Sequence, residues 1–130
     1  MAERPAALSF LPRFLWYWLP VLMYVCMILT LSGQPHLRPP FHFAFADKAS
    51  HMLEYSGLGV LLAQALRAGR PAAMSMRTAI AAIALGMIMG AGDEFFQSFV
   101  PGRTSDILDV LADTTGVVLA QLALRFVVRR

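Results

Sequence analysis

Residues 93–113, DEFFQSFVPGRTSDILDVLAD, gather Asp93, Glu94, Gln97, Arg103, Asp106, Asp109 and Asp113 between two apolar runs, TAIAAIALGMIMGAG and TTGVVLAQLAL. A second polar group, Asp47, Lys48, His51, Glu54 and Tyr55, lies in ADKASHMLEYSGLG. Carboxylates, an imidazole, an ammonium and a guanidinium are the groups of acid–base exchange, cation coordination and anion binding. Their spacing is helical. Asp47, His51, Glu54 and Tyr55 fall on one face of a helix, and Asp106, Asp109 and Asp113 make an acidic stripe on another. Gly86, Gly90, Asp93 and Gln97 share a third stripe, with Glu94 beside it. Seven carboxylates thus face only Lys48, Arg103 and the titratable His51. In a poorly solvated setting, either some of them hold a proton or a cation lies among them. Oxygen ligands of this kind suit Mg²⁺ or Ca²⁺, which would also bridge them to a bound phosphate.

The elements that position these groups are set by apolar length. Of the 130 residues, 58% are apolar, more than a soluble domain of this size carries. The excess falls in four runs of spanning length, at about 14–32, 49–67, 78–97 and 106–128. The reading is a single all-α domain over residues 1–130, an integral membrane four-helix bundle. A cleaved signal peptide is the competing reading of the first run, but it is long for one and lacks an A-x-A site. The single cysteine, Cys26, allows no disulfide framework or thiolate metal cluster, and reads as a small packing residue. Thr104 and Ser105 read as the N-cap of the fourth helix.

The net charge of +3 is a topology signal rather than a nucleic-acid surface. Arg4, Arg13, Arg67, Arg70, Arg77, Arg125, Arg129 and Arg130 lie at the two termini and the middle loop, whereas the other loops and their helix ends hold Arg38, Lys48 and Arg103. Basic residues mark the cytoplasmic side, so the N-terminus and C-terminus are expected to be cytoplasmic. The ends of helices two, three and four that carry the acids then share the outer side. Asp109 and Asp113 lie roughly 5 Å and 10 Å deeper than Asp106 along their helix, so they should face the bundle interior or a wet cavity. Gly86 and Gly90 form a G-x-x-x-G element, and Gly116 with Ala120 repeats the spacing. These let helices pack closely, within the bundle or in a homo-oligomer through Gly86/Gly90.

DKASHMLEYSGLG and GAGDEFFQSFVPGRTSDILDVLADTTG together resemble the VanZ-like family of small bacterial membrane proteins. The family pattern is D-K-x-x-H with Tyr or Phe four on, a helical hairpin, E-x-x-Q, a turn ending P-G-R, and an Asp-rich helix start. The matching positions are Asp47, Lys48, His51, Tyr55, Glu94, Gln97, Pro101, Gly102, Arg103, Asp106, Asp109, Asp113 and Gly116, and the first run fits the family's leading helix. Asp113 stands where Asn is frequent and Ala120 where Gly is. The resemblance implies a multi-pass protein of the bacterial inner membrane with a cell-envelope role; the founding member is associated with low-level teicoplanin resistance.

The functional reading is an outward-facing acidic polar pocket that binds an envelope component, such as an envelope lipid or a peptidoglycan precursor, or modulates envelope or glycopeptide-related chemistry. Arg103 would anchor an anionic group and the acids a cation or amine. No catalytic motif and no cofactor signature is recognised, which favours a non-enzyme. The alternatives are an intramembrane enzyme using His51, beside Asp47 or Glu54, and a carboxylate pair of Glu94 and Asp109; a small proton- or ion-coupled transporter; or purely structural charge pairing. The topology has a direct check. A reporter fused after Arg130 or within residues 67–77 is expected to read cytoplasmic, and one within residues 34–40 outer. The same location for both loops would contradict four spans.

Overall fold

A computed structural model describes residues 10–36, 38–39, 42–68 and 74–128. Glu3, Arg4, Pro40, Arg70, Arg129 and Arg130, several of which carry the orientation argument, lie outside the described residues. The architecture is four helices, α1 (Phe10–Ser32), α2 (Ala46–Arg67), α3 (Met76–Gln97) and α4 (Ile107–Val128), with no strand among the described residues. At about 1.5 Å per residue each reaches roughly 33 Å, the thickness of a bilayer core. α1, α3 and α4 are long and apolar enough to cross a membrane. The charges of α2 keep it out of that class by composition, yet it has the same length and packs against the other three.

The distribution of side chains inverts that of a soluble bundle. Trp16, Ile80, Phe95, Phe99, Leu111 and Phe126 are exposed, whereas Asp93, Glu94, Gln97, Asp109 and Asp113 are buried. Lipid solvates the first group and cannot hydrogen-bond the second, so the polar residues turn inward. Cys26 is on the outside too, exposed on α1, and is not the packing residue expected of it.

α2 and α4 share the most extensive contact, followed by α3 with α4; α1 lies on α2 and touches α3 lightly. Small residues set these distances. A Cβ at Gly116 would collide with the Met52 carbonyl, and the Ser56 hydroxyl donates across the same gap to the Gly116 carbonyl at 3.1 Å. One turn on, Gln121 Nε2 donates to the Gly59 carbonyl at 2.9 Å. A Cβ at Gly86 would lie 2.5 Å from a Val117 methyl, and one at Gly90 would lie 2.8 Å from Asp113 Oδ2. The partner of the Gly86/Gly90 stripe is therefore α4 of the same chain, and both glycines are buried there.

Helix ends are fixed locally. Ser75 caps α3, its hydroxyl accepting from the Thr78 amide at 3.0 Å. α2 is entered through Phe45 at φ 64° and left through Ala68 at φ 47°, whose amide returns to the Ala65 carbonyl. α4 is capped by Asp106, which accepts from the Leu108 amide at 2.9 Å; the cap is neither Thr104 nor Ser105. The turn before it bends at Gly102, φ 79°, against the ring of His36.

Because backbone, not a movable side chain, lies opposite Gly116, Gly116→Val is expected to pry α2 from α4 and destabilise the protein by about 2 kcal/mol or more. A Cβ at Gly92 meets nothing within 4 Å, so Gly92→Ala should be neutral or slightly stabilising. Thermal unfolding in detergent compares the two; equal effects would contradict the packing.

Candidate functional site

Three helix ends converge, as their sequence stripes require. α2 enters with Asp47 and Lys48 in its first turn, α3 leaves through Asp93, Glu94 and Gln97, and α4 starts just after Asp106. Lys48 is the hub of the outermost layer. Its ammonium lies 3.1 Å from Asp47, 2.7 Å from Asp106 and in contact with Asp109 Oδ1. It joins α2 to the head of α4, and its hydrogen bond holds the Asp106 carboxyl below the usual range.

One turn deeper, His51 Nδ1 lies 2.9 Å from Asp113 Oδ1, and its Nε2 lies 3.9 Å from Asp109 Oδ2. An ionised carboxylate only accepts, so this contact places a ring proton on Nδ1 and turns Nε2 towards Asp109. The partner of His51 is thus Asp113, not Asp47 or Glu54 as the sequence suggested. Glu94 reaches in from α3. Its Oε2 accepts from the Asp106 amide at 2.7 Å, at the N-terminal end of α4, while Oε1 is buried with no hydrogen-bond partner. One donor atom from each of His51, Glu94 and Asp109 lies within 4.8 Å of the others.

Asp93 belongs to a second network. Ser32, the last residue of α1, donates to Asp93 Oδ2 at 2.8 Å, Gln97 donates to the same oxygen at 3.1 Å, and Arg103 Nη2 donates to Gln97 Oε1 at 2.9 Å. The Pro-Gly-Arg turn is thereby tied to α1 and α3. Between the two networks lies a cavity of about 90 Å³, bordered by Ser32, Arg38, Asp47, His51, Glu54 and Arg103. Its charge is mixed, with two guanidiniums and two carboxylates.

Of the residues singled out in sequence, Asp47, His51, Glu54 and Arg103 border this cavity, and Lys48, Glu94, Asp106, Asp109 and Asp113 form the adjoining cluster. Asp93 and Gln97 brace the turn. Tyr55, one turn beyond His51 on α2, is 1% exposed and packs in the apolar core with Leu58 and Val117. Ser32 and Arg38 were missed. Ser32 ends an uncharged run with no spacing to link it to Asp93, and Arg38 sits in the 33–45 loop, whose path no periodicity encodes.

No curated protein and no solved structure matches the chain. The VanZ/LLP1 family does, over residues 11–128, a span from the start of α1 to the end of α4 that holds every polar residue described above. A match of that extent, on a helical bundle whose polar elements stand in the family's order, leaves one assignment: the chain belongs to the VanZ/LLP1 family.

Proposed function

We propose that the protein is a multi-pass component of the bacterial inner membrane whose polar pocket, open to the outer face, holds the head group of an envelope component. The observation that carries this reading is the mixed charge of the cavity: Arg38 and Arg103 on one hand, Asp47 and Glu54 on the other, around about 90 Å³. Such a space holds about three waters at roughly 30 Å³ each, so it admits a group of a few heavy atoms and not a whole molecule. A phosphate or carboxylate fits the guanidinium forks, and an amine fits the carboxylates. An envelope lipid or a peptidoglycan precursor carries such groups on a tail or chain that would remain in the bilayer or outside it. The distribution of basic residues supports an outer location for the pocket. Family membership supports an envelope role, and glycopeptide susceptibility, teicoplanin above all, is the phenotype to examine first.

An intramembrane enzyme is the second reading, favoured by the His51–Asp113 contact, which orients a ring nitrogen as a base would require. The two readings place different demands on Arg103. As a head-group anchor it must offer two parallel donors, and Arg103→Lys keeps the charge while discarding the fork. In a strain lacking the chromosomal copy, Arg103→Lys and Glu54→Gln are expected to accumulate as wild type yet fail to restore teicoplanin susceptibility to the wild-type level. Full complementation by both at matched protein level would overturn the head-group reading. Loss confined to His51→Gln would favour the enzyme.

A further inference from the structure

We infer that His51, Glu94 and Asp109 form a binding site for one divalent transition-metal ion, with Zn²⁺ the best match. The site draws one donor from each of α2, α3 and α4, and the three donor atoms lie within 4.8 Å of one another. Two donors about 2.1 Å from a tetrahedral ion stand about 3.4 Å apart, so the 3.9 Å between His51 Nε2 and Asp109 Oδ2 needs only a small side-chain adjustment.

Each donor is presented as a ligand should be. The Nδ1 of His51 is engaged by Asp113, a carboxylate–histidine arrangement that fixes the tautomer and aims the Nε2 lone pair outward from the pair. Asp109 has one oxygen against Lys48, which leaves Oδ2 for an ion. Glu94 is 4% exposed, its Oε2 is held by the Asp106 amide, and its Oε1 is buried without a partner. A buried carboxylate oxygen with nothing to accept is costly, and a cation removes that cost. Charge points the same way. Glu94, Asp109 and Asp113 surround the His51 ring, and the ammonium beside them, Lys48, is already shared with Asp47 and Asp106. A dication compensates what Lys48 cannot.

The donor set selects the ion. One imidazole and two carboxylates without thiolate suit Zn²⁺ or Mn²⁺, whereas Mg²⁺ and Ca²⁺ prefer oxygen throughout. This departs from the Mg²⁺ or Ca²⁺ suggested by the carboxylates alone. His51 also borders the mixed-charge cavity, so the ion would lie at its wall. The site does not depend on what the cavity holds.

The full chain, purified in detergent and stripped with EDTA, is dialysed against Zn²⁺, Mn²⁺, Mg²⁺ or Ca²⁺ and its metal content measured. One Zn²⁺ per chain is expected, with Mn²⁺ competing and millimolar Mg²⁺ or Ca²⁺ failing to displace it. Glu94→Gln and Asp109→Asn should each lower Zn²⁺ affinity at least tenfold, and Asp113→Asn by about 10–100-fold through the ring it orients. X-ray absorption on the Zn²⁺-loaded wild type keeps the inference testable should those variants fail to fold. It should find one imidazole nitrogen and at least two oxygens at about 2.0–2.2 Å. Substoichiometric binding by the wild type, unchanged affinity in folded Glu94→Gln and Asp109→Asn, or a zinc shell without imidazole would each overturn the site.

Discussion

The Asp113 carboxylate, 0% exposed in the middle of three helices, is the constraint on which the rest of the bundle depends. A lone buried carboxylate in an apolar medium costs several kcal/mol. The chain meets that cost by bringing His51 of α2 to it at 2.9 Å and by leaving Gly90 of α3 without a side chain where Asp113 packs. Both conditions demand close helices, and Gly116, Gly59 and Gly86 supply the approach. Charge burial and small-residue packing are thus one problem. Moving α2 from α4 by the width of a methyl group would break the His51 contact as well as the Ser56–Gly116 hydrogen bond.

From that centre the polar residues sort by depth and by helix. Lys48 closes the end of the α2–α4 seam at which both helices begin by gathering Asp47, Asp106 and Asp109. Glu94 and Asp106 together define where α4 begins: one accepts from the first free amide, and the other caps the next turn. On the opposite side of the cavity, Ser32, Asp93, Gln97 and Arg103 fasten α1 and the Pro-Gly-Arg turn to α3. The cavity lies where these two networks fail to meet. Asp47 and His51 on one side, and Ser32 and Arg103 on the other, border it and belong to the networks as well.

Much of this was legible in sequence because a bilayer enforces simple rules. Apolar length marks a span, and ionisable residues within it must turn inward, so the stripes Asp106–Asp109–Asp113 and Gly86–Gly90–Asp93–Gln97 indicate faces as well as positions. The sequence alone grouped His51, Glu94 and Asp109, and the structure brings their donor atoms within 4.8 Å. Pairing was harder. His51 was matched with carboxylates on its own helix, Asp47 and Glu54, because spacing along a chain is visible and contact across helices is not; its partner is Asp113, 62 residues away. Tyr55 continues the face of His51 one turn on, where it is buried against the apolar core. Ser32 and Arg38 gave no periodic signal, since one ends an uncharged helix and the other lies in a loop.

The central claim is that α2 and α4 meet through His51, oriented by a buried carboxylate. Solid-state NMR on the ¹⁵N-histidine, ¹³C-aspartate protein in lipid bilayers tests it most directly, with His51 assigned by difference against His51→Gln. The account predicts that His51 Nδ1 carries a proton and shows the dipolar coupling of a hydrogen-bonded pair to a carboxyl carbon that vanishes in Asp113→Asn. A His51 Nδ1 without a proton, or with no carboxyl coupling, would contradict it.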